Sequence, residues 1–309
     1  MILSVSRRTD IPAFYSDWFF NRIKEGFLYV RNPMNICQIS RISLSPSVID
    51  CIVFWSKNPK PMLGRLDELK DYMYYFQFTI NPYDIKIEEY VPTKSGIIDT
   101  FKELSNKIGP DRVIWRYDPI ILTNTLTMEY HKKYFEELAK RLKGFTKTCV
   151  ISFVDLYKKT ERNLKGTTAR ELSQSEMLKL ATHLALIAKR YGITIQSCAE
   201  KIELASVGIQ HGHCIDNVLI EDLLGVKLVV SKDKNQRPEC GCIQSIDVGE
   251  YNTCKHLCKY CYANFNANKV HEKIMKHNPE SPLLIGEVLP EDKIIERKIF
   301  SFISQKCLF

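Results

Sequence analysis

Six short apolar runs, at residues 2–6, 51–55, 74–79, 113–117, 149–153 and 193–198, alternate with amphipathic stretches over the first 200 residues. Few folds accept that rhythm besides a parallel sheet whose crossovers are helices. Each run is rich in β-branched or aromatic residues and short enough for a strand covered on both faces. Between them, Ile97, Phe101, Leu104 and Ile108 recur at helical spacing, as do Met177, Leu180, Ala181, Leu184, Ile187 and Tyr191. Ser173 and Glu176 form a capping-box pattern at the start of the second helix, and Gly192 suits the position just past its end. A further helix over 128–142 is predicted to stop at Gly144. The expectation is an α/β fold whose sheet closes toward a barrel.

Every predicted strand breaks into polar residues at its C-terminal end. The runs are Ser6-Arg7-Arg8-Thr9-Asp10, Ser56-Lys57-Asn58, Gln77 to Asn81, Arg116-Tyr117-Asp118, Ser152 to Asp155, and Ser197 to Glu200. In a parallel barrel those ends converge on one face, where active sites are built. Asp155, Thr79 or Asn58 taken singly is read as a helix cap. Arg116 and Asp118 put a cation and a carboxylate side by side and are read either as site residues or as a structural ion pair. The candidate substrate-facing set is Arg7, Arg8, Asp10, Lys57, Arg116 and Asp118, with arginines gripping carboxylate or phosphate and Asp118 managing a proton.

Composition narrows the class. The chain has 309 residues, 45% hydrophobic and 26% charged, enough for one large core or two modest domains. The opening Met1-Ile2-Leu3-Ser4-Val5-Ser6 meets Arg7-Arg8 at once, too short an apolar run for a signal sequence or a membrane span, so a cytoplasmic protein without a membrane partner is expected. The formal net charge of +8 permits an anionic substrate or a nucleic acid and requires neither. After Glu200 the pattern changes, and the chain divides into a barrel over 1–200 and an accessory cysteine-rich segment over 201–309 that packs on it. That segment is predicted to hold a short helix at 217–224, a strand-like run at 227–230 and an apolar patch at 283–285 that packs back on the barrel.

Eleven cysteines without a visible export signal favour metal sites over disulfides. The densest stretch is Cys254-Lys255-His256-Leu257-Cys258-Lys259-Tyr260-Cys261, in which gaps of three and two residues let one tight loop aim three sulfurs at a common centre. Asn252-Thr253 suits the turn that opens it. Closed zinc sites and plain ferredoxin clusters take four protein ligands; three leave a position open.

This loop, with Tyr260 before its last cysteine and Tyr262-Ala263-Asn264 after it, resembles the cluster loop of the radical S-adenosylmethionine (SAM) superfamily. From Ser6-Arg7-Arg8-Thr9-Asp10 through Trp115-Arg116-Tyr117-Asp118-Pro119 to the terminal cysteines, the chain also resembles a family known as domain of unknown function 1848. The first resemblance implies a partial (β/α)6 TIM-like barrel with a C-terminal cluster-binding segment. It implies a [4Fe-4S] cluster on Cys254, Cys258 and Cys261, Tyr260 near the adenine, and reductive cleavage of SAM for hydrogen-atom abstraction from an unidentified, anionic substrate. A low-potential electron donor such as flavodoxin or ferredoxin follows from it. The chain order departs from that superfamily: Arg7-Arg8-Thr9-Asp10 stands after the first strand, Trp55-Ser56-Lys57-Asn58-Pro59 follows the second, and the cysteines come after the sixth. The C-terminal segment must therefore drape its loop over the open face of the barrel.

The remaining cysteines sort by position. Cys37, Cys51, Cys149 and Cys307 are read as small hydrophobic residues. Cys198, at the functional end of the sixth strand, together with Cys214, Cys240 and Cys242, supplies four thiolates for a second site, an iron–sulfur cluster or a zinc ion. His211, His213 and His256 are read as locally bonded loop histidines rather than ligands. Two competing readings stay open. In one, the chain is a zinc- or cluster-stabilised nucleic-acid-binding module in which Arg7, Arg8, Arg41 and Lys57 grip phosphates. In the other, it is a metabolic barrel enzyme with a purely structural metal.

Overall fold

A computed structural model describes residues 1–304. The strands are β1 Ile2–Val5, β2 Phe27–Asn32, β3 Asn35–Ser43, β4 Cys51–Ser56, β5 Tyr74–Thr79, β6 Val113–Ile120, β7 Thr148–Phe153, β8 Thr194–Cys198, β9 Gln210–Gly212, β10 Ile246–Asp247 and β11 Lys293–Glu296. The α-helices are α1 Ile11–Phe14, α2 Ser16–Glu25, α3 Lys94–Ile108, α4 Met128–Leu142, α5 Lys158–Asn163, α6 Gln174–Arg190, α7 Asn217–Leu224 and α8 Ala267–Ile274. All six runs read as strands are strands. The capping box of Ser173 and Glu176 is present, and Gly192 adopts a φ of 71° just beyond α6, a conformation that side chains with a Cβ disfavour.

The main sheet has eight strands in the order β10-β1-β4-β5-β6-β7-β8-β9, every pair parallel. Six strands were expected; β9 and β10 are the additions, both from beyond residue 200. β9 reads Gln-His-Gly and β10 Ile-Asp, too short and polar to register as apolar runs. The edges are not left apart: Ile243, just before β10, donates its N–H to the carbonyl of Ile215, just after β9. A second sheet, β11-β3-β2, was not anticipated, and within it β2 and β3 form an antiparallel hairpin. The run at 227–230 makes only an isolated bridge, Leu228 with Ile303. Cys37, read as a small hydrophobic residue, is exposed on β3, while Cys51 and Cys149 are buried; Cys307 lies outside the described residues.

Strand alternation separates two apolar layers. Ile2, Val53, Tyr75, Ile114 and Val150 pack inside the curve of the sheet with Ile215 and Ile243. Leu3, Phe54, Phe76, Trp115 and Ile151 point outward to the helices, where Phe101 of α3, Phe135 of α4 and Leu184 of α6 close the larger core. Leu283, Leu284 and Ile285 are buried, the last two within that core. Among the described residues, no helix is long and apolar enough to cross a membrane. The inner face changes from apolar to polar along β5, β6 and β7. Ile114 precedes Arg116, Tyr75 precedes Gln77 and Val150 precedes Ser152, so all the polar side chains emerge at one end of the sheet.

The outer core encloses a histidine. His131 of α4 is fully buried between the Tyr117 hydroxyl, 2.8 Å away, and the Ile121 carbonyl at 2.9 Å. Burial drives its pKa down to about 4. The unfolded chain then takes up a proton below about 6.5 that the folded chain refuses until about 4, so stability falls as pH drops through that window. Between pH 7 and pH 5 the wild type is expected to lose about 2 kcal/mol more than a His131→Gln variant in urea denaturation.

Candidate functional site

Asp247 fastens β10 against β1. Its carboxylate accepts from the hydroxyls of Ser4 and Ser6 at 2.8 Å each, from the Arg7 N–H at 2.8 Å and from the Gly249 N–H at 3.1 Å. The Arg7 and Arg8 guanidinium groups stand 3.8 and 3.9 Å from it. A Cβ on Gly249 would fall 1.9 Å from the Ser6 hydroxyl, so only glycine lets the chain leaving β10 come this close to the end of β1. From there the chain passes into the cysteine loop.

That loop is shaped by its backbone. Asn252 takes a φ of 56° and exchanges bonds with the far side of the loop: its N–H donates to Ala263 and its side chain accepts from the Phe265 N–H. Asn264 donates to the Cys254 carbonyl at 2.5 Å, and the Cys261 N–H to the Cys258 carbonyl at 3.0 Å. Three anchors tie it to the sheet end. Lys259 N–H donates to Ile87, Tyr90 N–H to His256, and the Tyr15 hydroxyl to Thr253. Backbone N–H groups also face two of the sulfurs, that of His256 toward Cys254 and those of Ala263 and Asn264 toward Cys261.

The loop lies over the polar end of the sheet. Cys254, Cys258 and Cys261 line a cavity of about 910 Å³ together with Arg7, Arg8, Asp10, Lys57, Arg116 and Asp118. Tyr260 and the four cysteines at 198, 214, 240 and 242 line it as well. The residues nominated for the substrate face and for the two cysteine sites thus meet in one chamber. Among the described residues, no three His, Cys, Asp or Glu side chains are already disposed around a metal ion. The loop fits an iron–sulfur cluster by its donors, three thiols on the cavity wall with N–H groups directed at sulfur; the thiols must turn about their Cα–Cβ bonds to converge on it.

The cations and carboxylates are largely engaged with one another. Arg116, buried, donates through Nε and Nη2 to Asp118, through Nη1 to Gln77 at 3.2 Å and to Cys214 Sγ at 2.8 Å. Burial works to lower its pKa, yet the Asp118 carboxylate and the Cys214 and Cys198 sulfurs outweigh burial and hold it well above the usual value. Asp118 moves down: burial opposes this, and Arg116 and the Ser152 hydroxyl prevail. Asn81 clamps the Asp118 backbone, donating to its carbonyl at 2.9 Å and accepting its N–H at 2.8 Å.

Asp10 is a hub of the scaffold rather than an open carboxylate. It caps α1 through the Ala13 N–H and accepts from the Ser56 hydroxyl, the Lys57 N–H and His256 Nε2, the last at 3.0 Å. Among the strand-end residues it is Asp10, and not Asp155, Thr79 or Asn58, that caps a helix, and His256, read as a local loop residue, joins the cysteine loop to the end of the first strand. Lys57 points into the site with its ammonium held 2.8 Å from Glu88, and Lys94 binds the other oxygen of that carboxylate. Tyr260 donates to Glu88 at 2.5 Å and lies 5.4 Å beneath Lys57. Arg41 is elsewhere, on β3, stacked on Phe27 and paired with Glu296.

Glu88, Asp247, Asn81 and His256 are the residues that sequence reasoning passed over. Glu88 is buried with its pKa lowered to about 2, burial opposing and Lys57 and Lys94 prevailing. Its ionised form stabilises the fold fully above the ordinary carboxyl value of 4.5, and that contribution is lost as pH falls toward about 2. Glu88→Gln leaves two ammonium groups beside a neutral amide and is expected to cost about 3 kcal/mol in chemical denaturation near neutral pH.

Comparisons with known proteins complete the description. A solved structure assigned as an alpha-L-fucosidase from Bacteroides thetaiotaomicron VPI-5482 is similar at 14% identity over 50% of this chain and 66% of that chain, just under two thirds of its length, with a TM-score of 0.25. A likeness that small carries no argument about function. A search of the curated proteins gives no match. Residues 2–263 match the family described as Domain of unknown function (DUF1848), and the chain belongs to that family.

Proposed function

We propose that the chain is a radical SAM-type enzyme built on a partial TIM-like barrel. The observation that carries this reading is convergence: a loop with cysteines at 254, 258 and 261 lies over the polar end of a parallel sheet and shares one cavity with Arg116 and Asp118 of β6. In this reading Cys254, Cys258 and Cys261 would hold a [4Fe-4S] cluster, three protein ligands leaving a position for SAM. When bound and reduced, the cluster supplies the electron that cleaves the sulfonium and permits hydrogen-atom abstraction.

The chain's own residues do the rest. The backbone N–H groups facing Cys254 and Cys261 stabilise ionised sulfur. Tyr260, on the cavity wall and hydrogen-bonded to Glu88, is fixed in place to face an adenine ring. Arg8, partly exposed beside Tyr251, and Arg7 hold a carboxylate or phosphate of the substrate. Asp118, on the same wall, manages a proton or orients a donor. Lys57 acts through Glu88 and Tyr260 rather than by gripping a phosphate itself. The net charge of +8 suits docking of an acidic low-potential donor such as flavodoxin or ferredoxin.

The test is anaerobic reconstitution with iron and sulfide, then dithionite reduction and electron paramagnetic resonance with and without SAM. A reduced-cluster signal that shifts on adding SAM supports the reading. Zinc in place of iron, with no such signal, would replace it with the nucleic-acid-binding module.

A further inference from the structure

A second group of thiols lies on the other side of Arg116. Cys198 at the end of β8, Cys214 just after β9, and Cys240 and Cys242 just before β10 come from the two edges of the main sheet. Cys198 Sγ is 2.8 Å from Cys214 Sγ, and Cys242 lies near enough to both Cys214 and Cys240 for their sulfurs to interact. Cys214, Cys240 and Cys242 are buried, and Cys198 is half-buried.

The surroundings are built for negative sulfur. Arg116 Nη1 donates to Cys214 Sγ at 2.8 Å, and the Ile215 N–H donates to Cys242 Sγ at 3.4 Å. The turn between the last two cysteines is packed so closely that a Cβ on Gly241 would lie 2.2 Å from the His213 ring, so any other residue there would have to displace that ring. The carbonyl of Cys214 is held by the Tyr75 hydroxyl at 2.8 Å and by Gln77 Nε2 at 2.9 Å, fixing the backbone that carries one thiol.

We propose that Cys198, Cys214, Cys240 and Cys242 bind a single thiophilic divalent cation of the zinc class in a closed four-sulfur site. Four ligands without an open position make a structural centre. Because its ligands come from β8 and from the loops beside the edge strands β9 and β10, the ion clasps the ends of the curved sheet beside the Ile243 to Ile215 hydrogen bond and seals that wall of the cavity. Cys198 and Cys214 sit closer together than the edge of about 3.8 Å expected for a tetrahedral ZnS4 unit, and rotation about their Cα–Cβ bonds opens that spacing. A single ion suits the close Cys198–Cys214 pair better than a cubane, which spreads its ligands farther. Binding changes no oxidation state: each thiol that starts protonated gives its proton to solvent. The resulting charge of −2 stands directly against Arg116.

The experiment measures metal content by mass spectrometry on protein expressed with zinc and purified under reducing conditions. It compares wild type with a Cys254→Ala/Cys258→Ala/Cys261→Ala variant, Cys242→Ser and the rim variant Cys198→Ser. About one zinc per chain is expected in the wild type and in the triple variant, so this result stands whether or not the radical reading does. The ion should be lost from Cys242→Ser and weakened in Cys198→Ser, and cobalt substituted into the triple variant should give the intense thiolate charge-transfer absorption of a tetrahedral site. If Cys242→Ser fails to fold, the cobalt spectrum of the triple variant decides. Iron with sulfide in place of zinc, a Cys198–Cys214 disulfide, or four freely titrating thiols in the triple variant would each overturn the proposal.

Discussion

Cys258→Ala should remove the iron held by the cysteine loop, from about four atoms per chain to near none, and abolish SAM cleavage while the protein stays folded. The reason lies in what holds the loop. Cys258 contributes its carbonyl to the Cys261 N–H, and its neighbours Lys259 and His256 are pinned to Ile87 and Tyr90, so the turn persists when the sulfur is gone. The thiol is buried against Lys57, Tyr260 and Cys261, and burial raises its pKa to about 12. A buried thiol with no metal gains little from ionising, so its removal costs the fold only about 1 kcal/mol. Two thiols are too few to hold a cubane. Iron content, the reduced signal and SAM-dependent deoxyadenosine release should fall together, with urea midpoints nearly unchanged. Retention of iron with the same signal would mean that the loop holds no cluster.

The legibility of the chain followed apolar length. Runs such as Cys51 to Trp55 or Val113 to Tyr117 announce strands because both faces are buried, and the two apolar layers of the sheet divide their residues alternately. β9 and β10 carry three and two residues and few apolar atoms, so only their neighbours in space define them. The three loop cysteines and the Arg116–Asp118 pair could be read from spacing along the chain. Glu88 could not: it follows Ile85-Lys86-Ile87 in an irregular segment, and its role depends on Lys57, Lys94 and Tyr260, which reach it from three other places. His256 was passed over for a related cause, since a histidine between two cysteines looks local until Asp10, far back in the sequence, is seen 3.0 Å away. Lys57 shows the reverse. Sequence marks it as a free cation at a strand end, whereas burial has already given it a carboxylate.

Arg116→Ala should be the most destabilising single change at the site, by about 3–5 kcal/mol, because it strips a buried carboxylate of its cation. Asp118 would keep the Ser152 hydroxyl and the backbone clamp from Asn81 but lose both guanidinium contacts. Gln77 and Cys214 would each lose a donor as well. The sign of the pH effect separates this from simple loss of packing. In the wild type the Asp118 pKa is lowered, so the pair stabilises the fold above the ordinary carboxyl range and that contribution disappears as pH falls through it. Without Arg116, burial dominates and pushes the same carboxyl upward. The variant should therefore lose its deficit relative to wild type on acidification, the two urea midpoints drawing together as Asp118 protonates. An Arg116→Ala/Asp118→Asn double variant should recover about 2 kcal/mol of the loss, since no unpaired charge remains buried. A single variant whose deficit is constant with pH would assign Arg116 a packing role only. The cluster loop anchors through Ile87, Tyr90 and Tyr15 and not through Arg116, so reconstituted iron should be unchanged in every one of these variants.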